Sequence, residues 1–435
     1  MTDRSEGRVR PASALERQFW LGERIAPSSP ANWVLAHVRA DGPVDLPSLD
    51  AALAAVAHRQ EALRTGFRIE DGEVVRVLLA ESVAEPALRL APGTGFDEAA
   101  AALLGPGTFD ITAGRVHRAA VAPDAQGATV FLAVHHIAFD GLSQEIFASD
   151  LAQAYARAVD GGDPHLPVRE RQAVPSLDPG RRATLAAHWR ALLTGADDLP
   201  GPIGGTAAAT GPSQRELAAA GMAEVRTAYP AAGWQAVREQ ARRSACSPYA
   251  VLLAAYGRAL AELTGGAGFC IGTPVAAREP DQLDELGCLI NTLPVRMPEL
   301  SAPGVVQRVW AAVGDGIVGA ELPCDEIIRA VRTTASRRMP VYQALFAFES
   351  WRRAEHPAGP VRMRALPVRP IGGQAEIQLQ VGEMPDGTLE CIAQASLNGP
   401  WPQHLPGLLN AFHDHLGRLA ASCDSPRTLT TEGPA

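Results

Sequence analysis

Short apolar segments of strand character alternate with segments of helical spacing along both halves of this chain. Stretches rich in Gly, Pro and Ala at 160–182 and 195–213 separate the halves. In the first half NWVLAHVRA (32–40) reads as a strand. DLPSLDAALAAVAHRQEALR (45–64) reads as a helix, with Asp45 placed to cap it, Pro47 in its first turn, and Leu49, Leu53 and Val56 on one face. GFRIEDGEVVRVLLA (66–80) predicts a hairpin turning at Asp71-Gly72, and RVHRAAVA (115–122) a second hairpin with ATVFLAVHH (128–136). Helical spacing resumes at Leu142, Ile146, Leu151 and Tyr155, and GGDP (161–164) stops it. The second half repeats the mixture: helices near 231–243, 247–264 and 304–320, strands at 268–276, 341–349 and within 375–395, and a last helix with Leu405, Leu409, Phe412 and Leu416 on one face. A length of 435 residues exceeds one ordinary core. The pattern predicts a mixed α/β (α+β) protein of two lobes, residues 1–175 and 176–435.

Charge and composition exclude several functions. The formal net charge is −9 with no block of like charges, which argues against nucleic acid and against an anionic membrane surface. The segment MTDRSEGRVRPASALERQFW lacks an apolar signal core, and no apolar run approaches the ~20 residues that span a bilayer, so a cytoplasmic protein is expected. Six cysteines (246, 270, 288, 324, 391 and 423) stand without a CxxC pair and read as free buried thiols, not as a zinc site or a disulfide framework. All 39 basic residues are arginine. Without lysine, Schiff-base chemistry, pyridoxal phosphate catalysis and Walker-type nucleotide sites are excluded.

The chemistry concentrates in FLAVHHIAFDGLSQ (131–144). On a strand successive side chains point to opposite faces, so His135 and His136 cannot readily ligate one metal ion, and no third ligand stands at a familiar spacing. The alternation gives one histidine to the core and the other to whatever faces the sheet or its end. A turn follows, and Leu142 opens a helix, placing the backbone N–H groups of Gly141 and Leu142 where negative charge is favoured. An imidazole beside such donors suits acyl transfer: it handles the proton of a nucleophile while the donors stabilise a tetrahedral oxyanion. No serine sits in a nucleophile-elbow context, which disfavours a Ser-His-Asp reading of Asp140.

HHIAFDG resembles the HHxxxDG signature of the condensation domains of nonribosomal peptide synthetases. RQEALRTGF (59–67) resembles that family's RHExLRTxF motif, and FDITAGRVHR (109–118) its FDLxxGPLxR segment. IGTPVAAREPDQLDELGCLINTLPVR (271–296) is similar to IGTPVAGR…GxFVNTLPLR, and RRMPVYQALFAFES (337–350) to RxPLFQVMFxxQ. The matches keep family order from about Ser13 to Leu416. Three segments depart: Glu16 and Gln18 replace the usual Gln and Arg, ELPCDEI (321–327) replaces HQDLPFE, and GGQAEIQL (372–379) lacks KFDL. All three lie outside the histidine motif.

The resemblance implies two chloramphenicol-acetyltransferase-like lobes forming a V-shaped pseudodimer, with the histidine motif in a tunnel at their interface. It implies a donor acyl group held as a thioester on the 4'-phosphopantetheine of a peptidyl carrier protein, and a small-molecule or carrier-bound amine or hydroxyl as acceptor. No cofactor or metal is bound by the domain itself. Carried over by motif, His136 is the catalytic residue and His135 is structural. Asp140 is a strut paired with a buried arginine, Arg278 first and Arg64 second. Gly141 leaves room for the donor arm, and Asn291, in the segment resembling the loop that closes the tunnel floor, either contacts substrate or caps that loop. The chain lacks adenylation motifs and an LGGxS attachment sequence, so it resembles a free-standing condensation enzyme forming an amide or an ester in natural-product biosynthesis, antibiotic and enediyne pathways included. The rival readings are a coenzyme A-dependent acyltransferase of the same fold, an epimerisation domain, and a non-catalytic module that recruits carrier proteins or tailoring enzymes.

Overall fold

In a computed structural model that describes residues 8–83, 85–171, 177–204, 211–331, 338–349 and 354–421, the first hairpins form as their turn residues dictate. Thr65–Glu70 pairs antiparallel with Glu73–Leu78 around Asp71 and Gly72, both at positive φ (48° and 83°). Asp45 caps the helix Leu46–Arg59 by accepting the Ser48 N–H at 2.9 Å; the helix ends there, and Glu61–Arg64 continues as a 3₁₀ turn. The helix expected over 45–64 is therefore shorter by five residues at its C-terminal end.

The sheet that carries the histidine motif has seven strands. Its order is Glu355–Ala358, Val361–Ala365, Trp33–Asp41, Gly127–His135, His117–Asp124 and Leu88–Arg89, with Arg369–Pro370 also paired to Trp33–Asp41. Gly127–His135 lies in the middle, antiparallel to both neighbours, with Trp33 opposite His135 and His117 opposite Val134. Both faces of this strand are covered. Ala128, Val130, Leu132 and Val134 enter the core under the helices Leu46–Arg59 and Ser143–Val159, while Phe131 and Ala133 pack beside Leu103 of the helix Phe96–Leu103. A strand apolar on both sides is what the unbroken run TVFLAV requires.

The chain folds into two compact units: Met1–Ser176 with Ala276–Asn291 and Trp351–Gly372, and Leu177–Val275 with Thr292–Ser350 and Gly373–Ala435. The first unit thus takes two segments that the sequence division gave to 176–435. The reason is hydrogen bonding: Val361–Ala365 pairs with the strand Trp33–Asp41, and the backbone of Leu286, Gly287 and Leu289 donates to Gln60, Ser143 and Asp140. The second unit is built on a six-stranded sheet in the order Ile290–Arg296, Cys270–Ala276, Tyr342–Glu349, Ile377–Glu383, Leu389–Ser396 and Met222–Tyr229. The helices Ala231–Arg243, Pro248–Thr264, Val305–Val318 and Leu405–Ala421 cover it, with Trp234, Tyr256, Phe346, Trp401 and Phe412 buried in its core. Cys270, Cys288, Cys324 and Cys391 are buried, Cys246 is partly exposed, and none of these five is in a disulfide; Cys423 lies outside the described residues. Among the described residues no helix is long and apolar enough to cross a membrane.

Candidate active site

The strand stops at His135, and His136 opens a one-turn 3₁₀ helix, His136–Ala138. The two histidines therefore part company through a turn and not through strand alternation, which corrects the sequence expectation. His135 is fully buried and caps that turn: its Nδ1 accepts the Ile137 N–H at 3.0 Å, and its Nε2 donates to Oε1 of Glu23 at 3.2 Å. Within residues 131–140 only His136 keeps access to solvent. Its ring stacks on Phe19 with centroids 5.3 Å apart and planes at 27°, and its Nδ1 faces the Cys288 thiol at 3.5 Å. Burial pushes the His136 pKa below the usual imidazole value. Backbone hydrogen bonds within its own residue and to Phe139, and the Asp140 carboxylate, pull upward without reversing the shift. The ring is neutral at pH 7, the form a proton acceptor needs.

Asp140 stands in a network of hydrogen-bond donors. Its carboxylate accepts from the Ser143 N–H at 2.9 Å, the Ser143 hydroxyl at 2.8 Å and the Leu289 N–H at 2.9 Å. Nη2 of Arg278 donates to both of its oxygens, at 2.7 and 2.9 Å. The side chains of this pair are 2% and 0% exposed, so the ion pair is fully desolvated. Arg278 also donates from Nη1 to the carbonyls of Gln282 and Glu285, at 2.9 and 2.6 Å, which orders the segment around it. The alternative partner, Arg64, is engaged elsewhere: it donates to the carbonyls of His58 (3.1 Å) and Leu79 (2.6 Å), tying the turn after Leu46–Arg59 to the chain beyond Glu73–Leu78. Arg278 is the partner and Arg64 is not.

The helix after the motif begins at Ser143, one residue later than expected, because Asp140 takes the Ser143 N–H in the manner of a helix cap. Among the described residues no acceptor takes the backbone N–H of Gly141 or Leu142. These two donors precede the first turn of a 17-residue helix, beside the His136 turn. Asn291 is buried at the second position of the strand Ile290–Arg296, not in a loop. Among the described residues no group of three His, Cys, Asp or Glu side chains is arranged to hold a metal ion.

Four residues that the sequence reading passed over complete the surroundings: Phe19, Glu23, Ser143 and Cys288. Two signals for them were present. Ser13-x-x-Glu16 is a capping-box pattern that opens the helix Ala14–Ile25, on which Phe19 and Glu23 stand one turn apart. Ser143 stands three residues after Asp140, the spacing of a capped first turn. The departure at Glu16 also has a structural account. Its buried carboxylate pairs with Arg171 at 2.7 Å, and Arg171 pairs with Glu285 at 3.3 Å. The Arg171 guanidinium packs so closely on Gly287 that a Cβ there would lie 3.2 Å from its Cζ. A buried ion-pair array thus backs the segment carrying Arg278 and Cys288.

The chain belongs to the condensation-domain family, whose model, described as Condensation domain, matches residues 8–424. It is 30% identical over 367 residues to phosphinothricin tripeptide synthetase PhsC of Streptomyces viridochromogenes, covering 79% of this chain and 33% of that protein. The chain therefore spans about a third of the length of that relative. Its structure resembles the condensation domain of the monacolin K polyketide synthase MokA, with a TM-score of 0.79 at 20% identity over 96% of this chain and 98% of that one. It also resembles the X-domain in a complex of the X-domain and OxyB from teicoplanin biosynthesis, with a TM-score of 0.73 at 21% identity over 98% and 95% of the two chains. The fold is accordingly the two-lobed chloramphenicol-acetyltransferase-like fold of condensation domains.

Proposed function

We propose that this chain is an acyltransferase that moves an aminoacyl or acyl group from the phosphopantetheine thioester of a carrier protein to an amine or hydroxyl, forming an amide or an ester. One observation carries the reading: in a motif otherwise buried, the single accessible side chain is a neutral imidazole, stacked on Phe19 beside a turn that Asp140 and Arg278 pin. With Nδ1 turned to Cys288, Nε2 of His136 is the nitrogen left to meet the acceptor. It takes the proton as the acceptor's nitrogen or oxygen bonds to the thioester carbon. The N–H groups of Gly141 and Leu142 offer hydrogen bonds to the resulting oxyanion. The C–S bond then breaks, and the proton passes from His136 to the departing thiolate, so the imidazole ends as it began. Such a base contributes about 10²–10⁴-fold in rate. In this reading the chain needs no metal or cofactor of its own. Gly141 borders the donor's path and Asn291 the substrate channel.

A panel tests this. The chain is mixed with an acyl-loaded carrier protein and, in turn, with amines and alcohols, and the carrier is weighed intact. Loss of the acyl group matched by a new amide or ester supports the proposal and fixes the bond type. Carrier binding without transfer to any acceptor would favour the recruitment reading, and transfer from coenzyme A thioesters but never from carriers would favour the acyltransferase rival.

A further inference from the structure

The helix Ala14–Ile25 touches both histidines at once. Phe19 stacks on His136, and its ring also meets His135 edge-on, with centroids 6.0 Å apart and planes at 80°. Four residues on, hence on the same face, Glu23 receives the His135 Nε2–H. The other end of that imidazole is occupied as well, because Nδ1 accepts the N–H of Ile137, the residue after His136. An imidazole held at both nitrogens has one possible tautomer, with the proton on Nε2.

Glu23 is itself fixed. Its Oε1 also accepts from Nδ2 of Asn32 at 3.0 Å, and its Oε2 accepts the N–H of Ser28 at 3.0 Å. Burial alone would raise the Glu23 carboxyl, but the hydrogen bonds from His135, Asn32 and Ser28 hold it below the usual range, so it is ionised at neutral pH. The anion favours a donor at Nε2 of His135. That leaves a lone pair at Nδ1 for the turn that His136 opens.

We propose that Glu23 is a positioning residue for His136: its carboxylate locks His135 in the Nε2–H tautomer, and through the bond from Ile137 to Nδ1 this fixes the turn on which His136 stands. With Phe19, one helix face then sets the orientation of both rings. The catalytic consequence rests on His136 as the acting group proposed above, whereas the tautomer lock does not.

The test uses the full chain carrying ¹⁵N-labelled imidazoles, with the His135 signals assigned by their loss in His135→Asn. Long-range ¹H–¹⁵N spectra of the wild type should show His135 as the Nε2–H tautomer alone. Glu23→Ala should show both tautomers in exchange. Its kcat should fall about 10–100-fold, the effect of losing one hydrogen bond to a charged group, with KM changed less than about threefold. Glu23→Gln, whose amide oxygen still accepts the Nε2–H, should keep the wild-type tautomer and recover kcat to within about fivefold. Asn32→Ala, which removes another partner of Glu23 but leaves His135 alone, should match the wild type in both readouts. The inference is overturned if Glu23→Ala retains the wild-type tautomer, or if Glu23→Gln loses as much kcat as Glu23→Ala. Should the wild type transfer no acyl group to any acceptor, the functional reading fails by that result, and the spectra still decide the role of Glu23.

Discussion

Breaking the Asp140–Arg278 pair should unfold the site without touching its chemistry. Arg278→Ala leaves a carboxylate whose side chain is 0% exposed with only three neutral donors, the Ser143 N–H, the Ser143 hydroxyl and the Leu289 N–H. Asp140→Ala leaves a buried guanidinium facing carbonyls alone, apart from the Ser143 hydroxyl. Stranding one member of a buried ion pair costs about 3–5 kcal/mol. For a cooperative unit of about 150–250 residues this lowers the midpoint of melting by about 6–20 °C. The assay is calorimetry at pH 7.5 on the wild type, both single variants and the double variant Asp140→Leu with Arg278→Met. Because the double variant strands no charge, it should melt well above the temperature that two additive losses would give. The singles should also lose acyl transfer in parallel with stability, whereas His136→Ala should lose transfer and keep its midpoint. Singles melting within about 2 °C of the wild type, or a double variant at the additive value, would refute the strut.

Other outcomes follow from the same geometry. Burial holds the His136 pKa below the usual imidazole value, so kcat/KM should stay flat from pH 8 down to about 6.5 and fall only below it; an acid limb centred above pH 7 would contradict a neutral base at this position. His117 is depressed to about 4 by burial, against a weaker upward pull from a hydrogen bond to the Leu63 backbone. The unfolded chain therefore binds that proton first, and stability is full above about pH 6.5 and drains away as pH falls toward 4. His117→Gln should flatten that part of a melting-temperature profile. Gly127→Ala should lower the melting midpoint sharply, since a Cβ there would stand 2.0 Å from the Ala40 carbonyl oxygen and force the strand that ends in His135 away from Trp33–Asp41.

The motif was legible because it is local, whereas Arg278, 138 residues from Asp140, was expected as its partner only through the family resemblance. A turn residue, an apolar strand and a helix start fall within 131–144. What stayed hidden has physical reasons. Ser13 and Glu16 mark the start of Ala14–Ile25, but only Glu16 and Trp20 of its residues are buried, and a helical period does not say what its other residues face. Phe19 and Glu23 therefore gave no sign of facing the histidines. Val361–Ala365 joins Trp33–Asp41 across more than 300 residues, and no periodicity reports a partner that far away. Strand alternation predicts that His135 and His136 face apart, but the strand ends between them, which a strand rule cannot see. Arg278 stands ahead of Arg64 as the expected partner, and the hydrogen bonds of Arg278 to Asp140 and of Arg64 to the His58 and Leu79 carbonyls decide between them.

The most direct test of the central claim is a single-turnover comparison of wild type and His136→Ala, with an acyl-loaded carrier protein and an acceptor that the panel has identified, read by the intact mass of the carrier. The account predicts that His136→Ala binds the carrier, melts within about 2 °C of the wild type, and transfers the acyl group about 10²–10⁴-fold more slowly. A folded His136→Ala protein that forms the product at the wild-type rate would remove His136 from the chemistry and the account with it.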